Sequence, residues 1–405
     1  MISSSSSSSL SSSYSYTKII KRPRWYKRIS RKGLVVLALI ILLFVSYKLL
    51  KSSHIKNKSS VNNPNYLGMG LHTTFKTHPF FYKKKMVLNH DDHSKITIVT
   101  QVSVERLERI AWMADKWRAP ISAAVYIKND NEIHNVTSLI NNSYSVTQFV
   151  DIHLLFANKT RYPVNTLRNL SIKKASTKWV LLMDADFIPP LDLHDTIQTH
   201  VDRLELDSDH NQNDLVSFVV PSFASSLPRF QLPDDKESFI QSVKSQTIVP
   251  TNLNVCPKCH SPTNYTRWYN ESIPYEVEYQ WIYEPFLVFR TDQVEPFDER
   301  LKGYGFDKNS HTFGMAVQGF TFMVLPDSWI VHMNHPKQVW EGTDTYDEQM
   351  FDSLRIVCEI LPHTKERYGF ERNDQLFNEP IGNNPIIIYP YQYKNSKKNM
   401  PEHSN

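Results

Sequence analysis

The sequence predicts an α/β fold, a sheet of buried strands covered by helices. Three observations lead there. Between residues 95 and 220, segments of strand periodicity alternate with segments of helical spacing, the pattern of strands linked through helices. Residues 178–183 (KWVLLM) are almost continuously apolar, which suits the buried middle of a parallel sheet. The 405 residues are 40% hydrophobic and 12% aromatic, enough for one large domain or two medium ones; ten glycines and no repeating period exclude collagen-like and solenoid designs.

Taken in order, residues 95–102 (KITIVTQV) alternate and are β-rich, so they form a strand. Leu107, Ile110, Ala111 and Ala114 give 105–117 a helical spacing. Residues 120–127 (PISAAVYI) form a second buried strand, and 150–156 another after a polar, sequon-rich stretch. A helix over 164–175 precedes the strand 178–183, and a helix over 191–206 precedes a strand at 215–220. The second half is less regular, with short strands at 287–290, 320–325 and 329–332 and helices over 307–317 and 346–361. No Pro/Gly/Ser-rich linker divides the halves, so one domain near Ser94 to residue 390 is expected, its site built from both, with a disordered tail at 391–405.

The formal net charge of +5 conceals an asymmetry. Residues 1–60 hold twelve Lys/Arg and no acid, leaving 34 basic against 41 acidic residues for the rest, a net of −7. Residues 2–15 are almost all serine and cannot bury a core, so 1–32 form a disordered cytosolic tail. Residues 33–50 are apolar enough to span a bilayer near the lower length limit, with Lys48 snorkelling. No small-residue cleavage site follows, so the span is a signal anchor rather than a cleaved signal or a core helix. Eight basic residues lie just before it, which keeps the N-terminus cytosolic and makes a single-pass type II protein with a lumenal body, expected in the Golgi membrane. Residues 51–93 are polar and read as a stem. The basic residues are explained by topology, so no nucleic-acid partner is expected. Seven sequons, at Asn57, Asn135, Asn141, Asn158, Asn169, Asn264 and Asn270, agree with a lumenal body.

The chemistry centres on WVLLMDADFIPP, where a buried strand ends in Asp184 and Asp186. Ligands of open α/β sheets sit outside the carboxyl ends of strands. Two carboxylates one residue apart there can hold a divalent cation, and the cation can neutralise a departing diphosphate. A second D-x-D, Asp207 and Asp209, lies in a polar loop with no strand before it and is set aside as a solvated face.

The segment 162–190 (YPVNTLRNLSIKKASTKWVLLMDADFIPP) resembles the region around the D-x-D motif of the family 49 glycosyltransferases, which include the C-terminal domain of the LARGE xylosyl-/glucuronyltransferase and a related β-1,4-glucuronyltransferase. Stretches 100–127, 260–268, 283–311 and 322–336 resemble the same family in the same order, so the likeness covers about 95–340. It implies a GT-A fold, a mixed α/β sheet with a Rossmann-like nucleotide half. It further implies a UDP-sugar donor, a glycan or glycoprotein acceptor and Mn²⁺ or another divalent cation on Asp184, Asp186 and His332. An imidazole beside two carboxylates suits Mn²⁺. His335 is the near decoy, expected behind the ligands or in solvent. Arg168 and Asn165 are expected near the nucleotide phosphates, and Thr100 and Gln101 near the base. Known members invert the anomeric centre, which calls for one general base; Glu284 and Asp307 are the candidates, with Glu284 slightly favoured because the family is expected to carry asparagine at position 307. Asn169 and Asn264 fall inside family-like blocks and are expected to be structural and bare of glycan. A catalytically silent glycan-binding or escort protein of the same fold is the alternative, and a metal-dependent hydrolase is disfavoured because adjacent carboxylates lack the separation glycosidases use.

Cys256-Pro-Lys-Cys259 offers half of a zinc site with no second pair to complete it. A local disulfide or free structural thiols are the leading expectations, with metal binding and redox catalysis behind them.

Overall fold

Apolar runs flanked by turn residues give thirteen strands in a computed structural model that describes residues 74–87, 96–157, 161–207, 214–252, 256–303, 305–335 and 345–368. In chain order they are β1 (Lys76–Tyr82), β2 (Ile96–Ser103), β3 (Ile121–Ile127), β4 (Val150–Phe156), β5 (Trp179–Leu182), β6 (Phe187–Ile188) and β7 (Val216–Val220). They continue as β8 (Ser222–Ser225), β9 (Ile248–Pro250), β10 (Tyr275–Val277), β11 (Phe286–Arg290), β12 (Thr321–Val324) and β13 (Ile330–Met333). Nine form one mixed sheet in the order β1-β4-β3-β2-β5-β11-β7-β12-β10, and four form a small second sheet, β6-β13-β8-β9.

The helices, also in chain order, are α1 (Glu108–Trp117), α2 (Ile133–Asn142), α3 (Tyr144–Phe149), α4 (Val164–Lys173), α5 (Leu193–Leu206), α6 (Lys236–Lys244) and α7 (Tyr265–Asn270). Beyond them come α8 (Asp307–Gln318), α9 (Thr345–Arg355) and α10 (Leu361–Tyr368), the last two joined by a π turn at Ile356–Ile360. All described residues belong to one unit, Gly68–Asn405.

The first half is a parallel array, β4-β3-β2-β5, as the alternation of strands and helices requires. Its strands are buried on both faces, which explains their unbroken apolarity. Along β3, Ala123 and Val125 join the core packed by α1 and α5, while Ala124 and Tyr126 join the core under α4. The predicted strand 178–183 is β5, with one parallel neighbour, β2, and one antiparallel, β11. It is thus the seam between the parallel half and the mixed half.

One difference from the sequence expectation concerns extent. The sheet begins before Ser94: β1 lies within the stretch assigned to the stem and pairs antiparallel with β4. It is an edge strand, polar at its start and interrupted by Pro79, so it lacks the apolar alternation that marks an inner strand. The expected anchor at 33–50, the tail at 391–405, the sequons Asn57 and Asn158 and the decoy Asp209 lie outside the described residues. Among the described residues no helix is long and apolar enough to cross a membrane.

Candidate active site

The parallel register of β2 and β5 ends at Val99 opposite Leu182, with the Met183 N–H donating to the Val99 carbonyl at 3.1 Å. Thr100 and Gln101 therefore continue alongside the point where the chain leaves β5. There a tight turn, closed by the Phe187 N–H on the Asp184 carbonyl at 3.1 Å, carries Asp184-Ala185-Asp186 across to β6. β6 pairs with β13 so that His332 lies opposite Phe187, and the Met333 N–H donates to the Asp186 carbonyl at 2.9 Å. The strand-end aspartates and the late histidine, 146 positions apart in sequence, are brought together by this two-residue ladder.

Asp186 Oδ2 is the focus of one cluster. His335 Nε2 lies 2.9 Å from it, Arg106 Nη1 3.5 Å, His332 Nε2 3.7 Å and Arg109 Nη1 4.0 Å. Burial pushes this carboxyl upward, but the hydrogen bonds and charges of His332 and His335 outweigh it and hold it well below the carboxylate range. His335 is thus packed against Asp186, not turned to solvent. Arg106 Nη2 approaches His335 Nδ1 at 3.3 Å. A guanidinium only donates, so Nδ1 is the acceptor in that contact and Nε2 faces Asp186.

Asp184 has different neighbours. Arg168 Nη2 is 3.1 Å from Oδ1 and Lys308 Nζ 2.9 Å from Oδ2. Burial raises Asp184, but Lys308 and Arg168 more than offset it, so it stays ionised. Lys308 in turn is raised: burial opposes its charge, and Asp184 and Glu284 overcome that. Arg168, with a side chain only 3% exposed, also pairs with Asp307 and donates to the Asn165 side-chain oxygen at 3.2 Å. Asn165 fixes the arrangement by donating to the Asp298 carbonyl at 2.8 Å.

Asp307 and Lys308 occupy the first turn of α8, and backbone geometry aims them. Gly305 sits at φ 109° and Phe306 at φ 61°, both in the left-handed region. Glycine takes such a conformation freely, whereas Phe306 is strained, a feature found at sites where surrounding contacts fix the backbone. Glu284 lies in the bend before β11, half-buried. Burial pushes its carboxyl up to about 7; Lys308 opposes the rise while Asp307 and Asp184 add to it. Thr100 Oγ1 is buried with no hydrogen-bond partner among the described residues, and Gln101 Oε1 accepts from the Tyr162 hydroxyl.

The structure thus gathers Asp184, Asp186, Asn165, Arg168, Asp307 and His332 around one strand end, with Thr100 and Gln101 alongside and Glu284 near Lys308. Among the described residues the group with metal-ligand spacing is Asp186, His332 and His335, their donor atoms within 4.8 Å of one another. One carboxylate and two imidazoles fit a borderline divalent cation. Asp184 stands outside that group because both its oxygens face cations. Sequence reasoning missed Lys308, Arg106 and Arg109. Lys308 stood beside Asp307 in GYGFDKN, and both arginines followed the first strand at its carboxyl end, the location where ligands of such sheets bind. The cysteine question is answered as well: Cys256 and Cys259 form a disulfide, and Cys358 is free and exposed.

Comparison with known proteins agrees with this geometry. The family model described as glycosyl-transferase for dystroglycan matches residues 95–161 and 156–369. Glycosyltransferase-like protein gnt15 of Dictyostelium discoideum is 38% identical, over 89% of this chain and 96% of that protein. Glycosyltransferase-like protein gnt14 of the same organism is 51% identical over 72% of this chain, and the mouse xylosyl- and glucuronyltransferase LARGE1 is 31% identical over 74% of it. The chain spans less than half the length of those two, 45% and 39%. With its family matched across the strand-end aspartates, the late histidine and the helices between, the chain belongs to the family 49 glycosyltransferases.

Proposed function

We propose that the chain transfers a sugar from a UDP-sugar to a glycan acceptor in the secretory pathway, with inversion at the anomeric carbon, on a GT-A fold and with a divalent cation. The observation that carries this is the convergence of Asp184 and Asp186 from the end of β5 with His332 from β13. Asp186, His332 and His335 would hold the cation, with Asp184 beside them. When bound, the cation supplies positive charge to the departing diphosphate.

The remaining work falls to side chains of the chain itself. Arg168 and Lys308 bring two fixed cations to the strand end, where a nucleoside diphosphate would gain charge-assisted hydrogen bonds. Thr100 and Gln101 stand toward the carboxyl end of β2, the Thr100 hydroxyl buried. Of the two candidate bases, Asp307 is engaged by Arg168, which ties up its lone pairs. Glu284, with a pKa near neutrality, can accept the acceptor hydroxyl proton at pH 7 and above.

The test is UDP release from a panel of UDP-sugars by the full chain with Mn²⁺. Activity is expected in the parent and a loss of about a hundredfold or more in Asp186→Ala. A parent chain inactive toward every donor favours instead a silent, glycan-binding member of the family.

A further inference from the structure

We infer that the Cys256–Cys259 disulfide is a positioning device for Glu284, locking the turn whose carbonyl fixes the backbone of that residue. The inference rests on Glu284 as the base proposed above. The disulfide closes a single 3₁₀ turn, Pro257–Cys259, and both cysteines are buried. The Cys259 carbonyl, bonded directly to the bridged ring at Cα, accepts the Glu284 N–H at 2.8 Å. The next residues join the same two segments: Thr263 Oγ1 meets the Tyr283 hydroxyl at 2.9 Å, and the Tyr275 hydroxyl donates to the Thr263 carbonyl at 2.8 Å. His260, immediately after the bridge, is 5% exposed, and burial and the nearby Lys308 charge lower it to about 3, so it lies neutral against the cationic side of the site.

A second observation shows why a covalent brace is useful here. Ile282, two residues before Glu284, sits at φ 71°. A β-branched residue in the left-handed region is strained by roughly 1–3 kcal/mol and persists only where neighbouring contacts over-determine the backbone. Two backbone bonds flank it: Tyr283 N–H to the Gln280 carbonyl at 3.0 Å, and Glu284 N–H to the Cys259 carbonyl. The second depends on a turn outside the main sheet. Cross-linking that turn removes its freedom to open and leaves the 280–284 bend held in place.

Dithiothreitol tests this directly. It is oxidised to its cyclic disulfide while Cys256 and Cys259 take up two electrons and two protons and become thiols. The experiment uses the full chain carrying Cys358→Ser, so that the bridge is the only thiol-sensitive group among the described residues. On reduction, amide exchange in peptides covering 280–286 is expected to rise about tenfold, as a locally released bend exchanges faster. Turnover is expected to fall about tenfold with the donor KM unchanged, since misplacement of a base affects the chemical step. The double variant Cys256→Ser/Cys259→Ser should reproduce both effects and no longer respond to dithiothreitol. Unchanged exchange on reduction overturns the clamp, and so does faster exchange with unchanged turnover in an active chain. An oxidised chain inactive toward every UDP-sugar overturns the assignment of function, while the exchange measurement still decides whether the bridge holds the bend.

Discussion

Four groups that carry or can carry positive charge meet at one oxygen of Asp186, and two more grip Asp184, so neither carboxylate of the strand-end pair lacks a counter-charge. Glu284 is treated in the opposite way. Its surroundings withhold solvent and add two neighbouring carboxylates, and the opposing cations, Lys308 and then Arg168, are shared with Asp184. The site therefore separates its carboxylates into ionised holders of charge and one group poised to exchange a proton, the division of labour that distinguishes catalytic acids and bases. The sign for activity follows. Burial raises the Glu284 pKa to about 7, so below that pH the carboxyl is protonated and cannot accept a proton. Turnover should climb about tenfold per pH unit on the acid side and level off above about 7. Glu284→Gln should lower turnover by about a hundredfold or more and flatten the profile, with donor KM little changed. A variant retaining the parental acid limb would show that another group carries the proton. Asp184 and Asp186 stood out in the sequence because they end an apolar strand, whereas His332 was singled out only through the family resemblance. Lys308 and Arg106 did not stand out, because only the tertiary arrangement of α8 and the β2–α1 connection brings them to the aspartates.

The elements that sequence periodicity located well are those with a full apolar set, such as β4 at Val150–Phe156, where all but the last residue are buried. The failures share a cause. Helices α2 and α3 each bury a single residue, Val136 and Val146, so the polar stretch containing two sequons shows too faint a stripe to read. β6, β8, β9 and β10 are two to four residues long, shorter than any periodicity can mark. These short strands nonetheless build the site, since β6 sets the His332 register. Between elements, Asn169 on α4 shows why one sequon had a structural look. Its side chain donates to the Phe297 carbonyl and to Glu299 Oε1, both at 2.9 Å, and accepts the Phe297 N–H at 2.9 Å. This amide pairs with a backbone segment as another strand would, and a glycan on its nitrogen would replace one of its two N–H donors. Asn169→Ala should cost about 2–3 kcal/mol by leaving the Phe297 groups unmet, read as a lower urea midpoint at constant slope. Glycopeptide mapping should find Asn169 bare; occupancy there would contradict the structural role. Asn264 is different: its side-chain oxygen caps α7 by accepting the Arg267 N–H at 3.1 Å, yet the residue is exposed.

At the scale of the molecule, the net +5 resolves into a basic N-terminal segment and a body with a net of −7. A second charged network ties the last helices to the loop before α8. Asp352 on α9 is fully buried, with its carboxylate 2.9 Å from Arg161 and 3.2 Å from Arg355. Arg161 also donates to the Lys302 carbonyl, and Arg355 to the Arg300 carbonyl at 2.6 Å. Arg300 reaches Asp298 at 2.6 Å and Glu359 at 3.1 Å, and the Asp298 carbonyl is the group that anchors Asn165 behind Arg168. The last helices are thus bound to the loop that leads into α8, and through it to α4. A buried pair of this kind adds little over an apolar packing of equal volume, but removing one partner strands the others. Asp352→Asn keeps the shape and deletes the carboxylate charge that Arg161 and Arg355 share, Arg355 retaining Glu359 at 3.9 Å. The expected loss is about 3 kcal/mol, large enough to lower the urea midpoint clearly. Glu271→Gln supplies the contrast: its partner Arg267 is exposed at the surface of α7, and the expected change is within about 0.5 kcal/mol. If both variants unfold at the parental midpoint, the Asp352 network contributes no cohesion and the last helices pack on apolar contacts alone. If Asp352→Asn is destabilised, faster amide exchange should appear across 298–303 as well as α9, because the same arginines hold both.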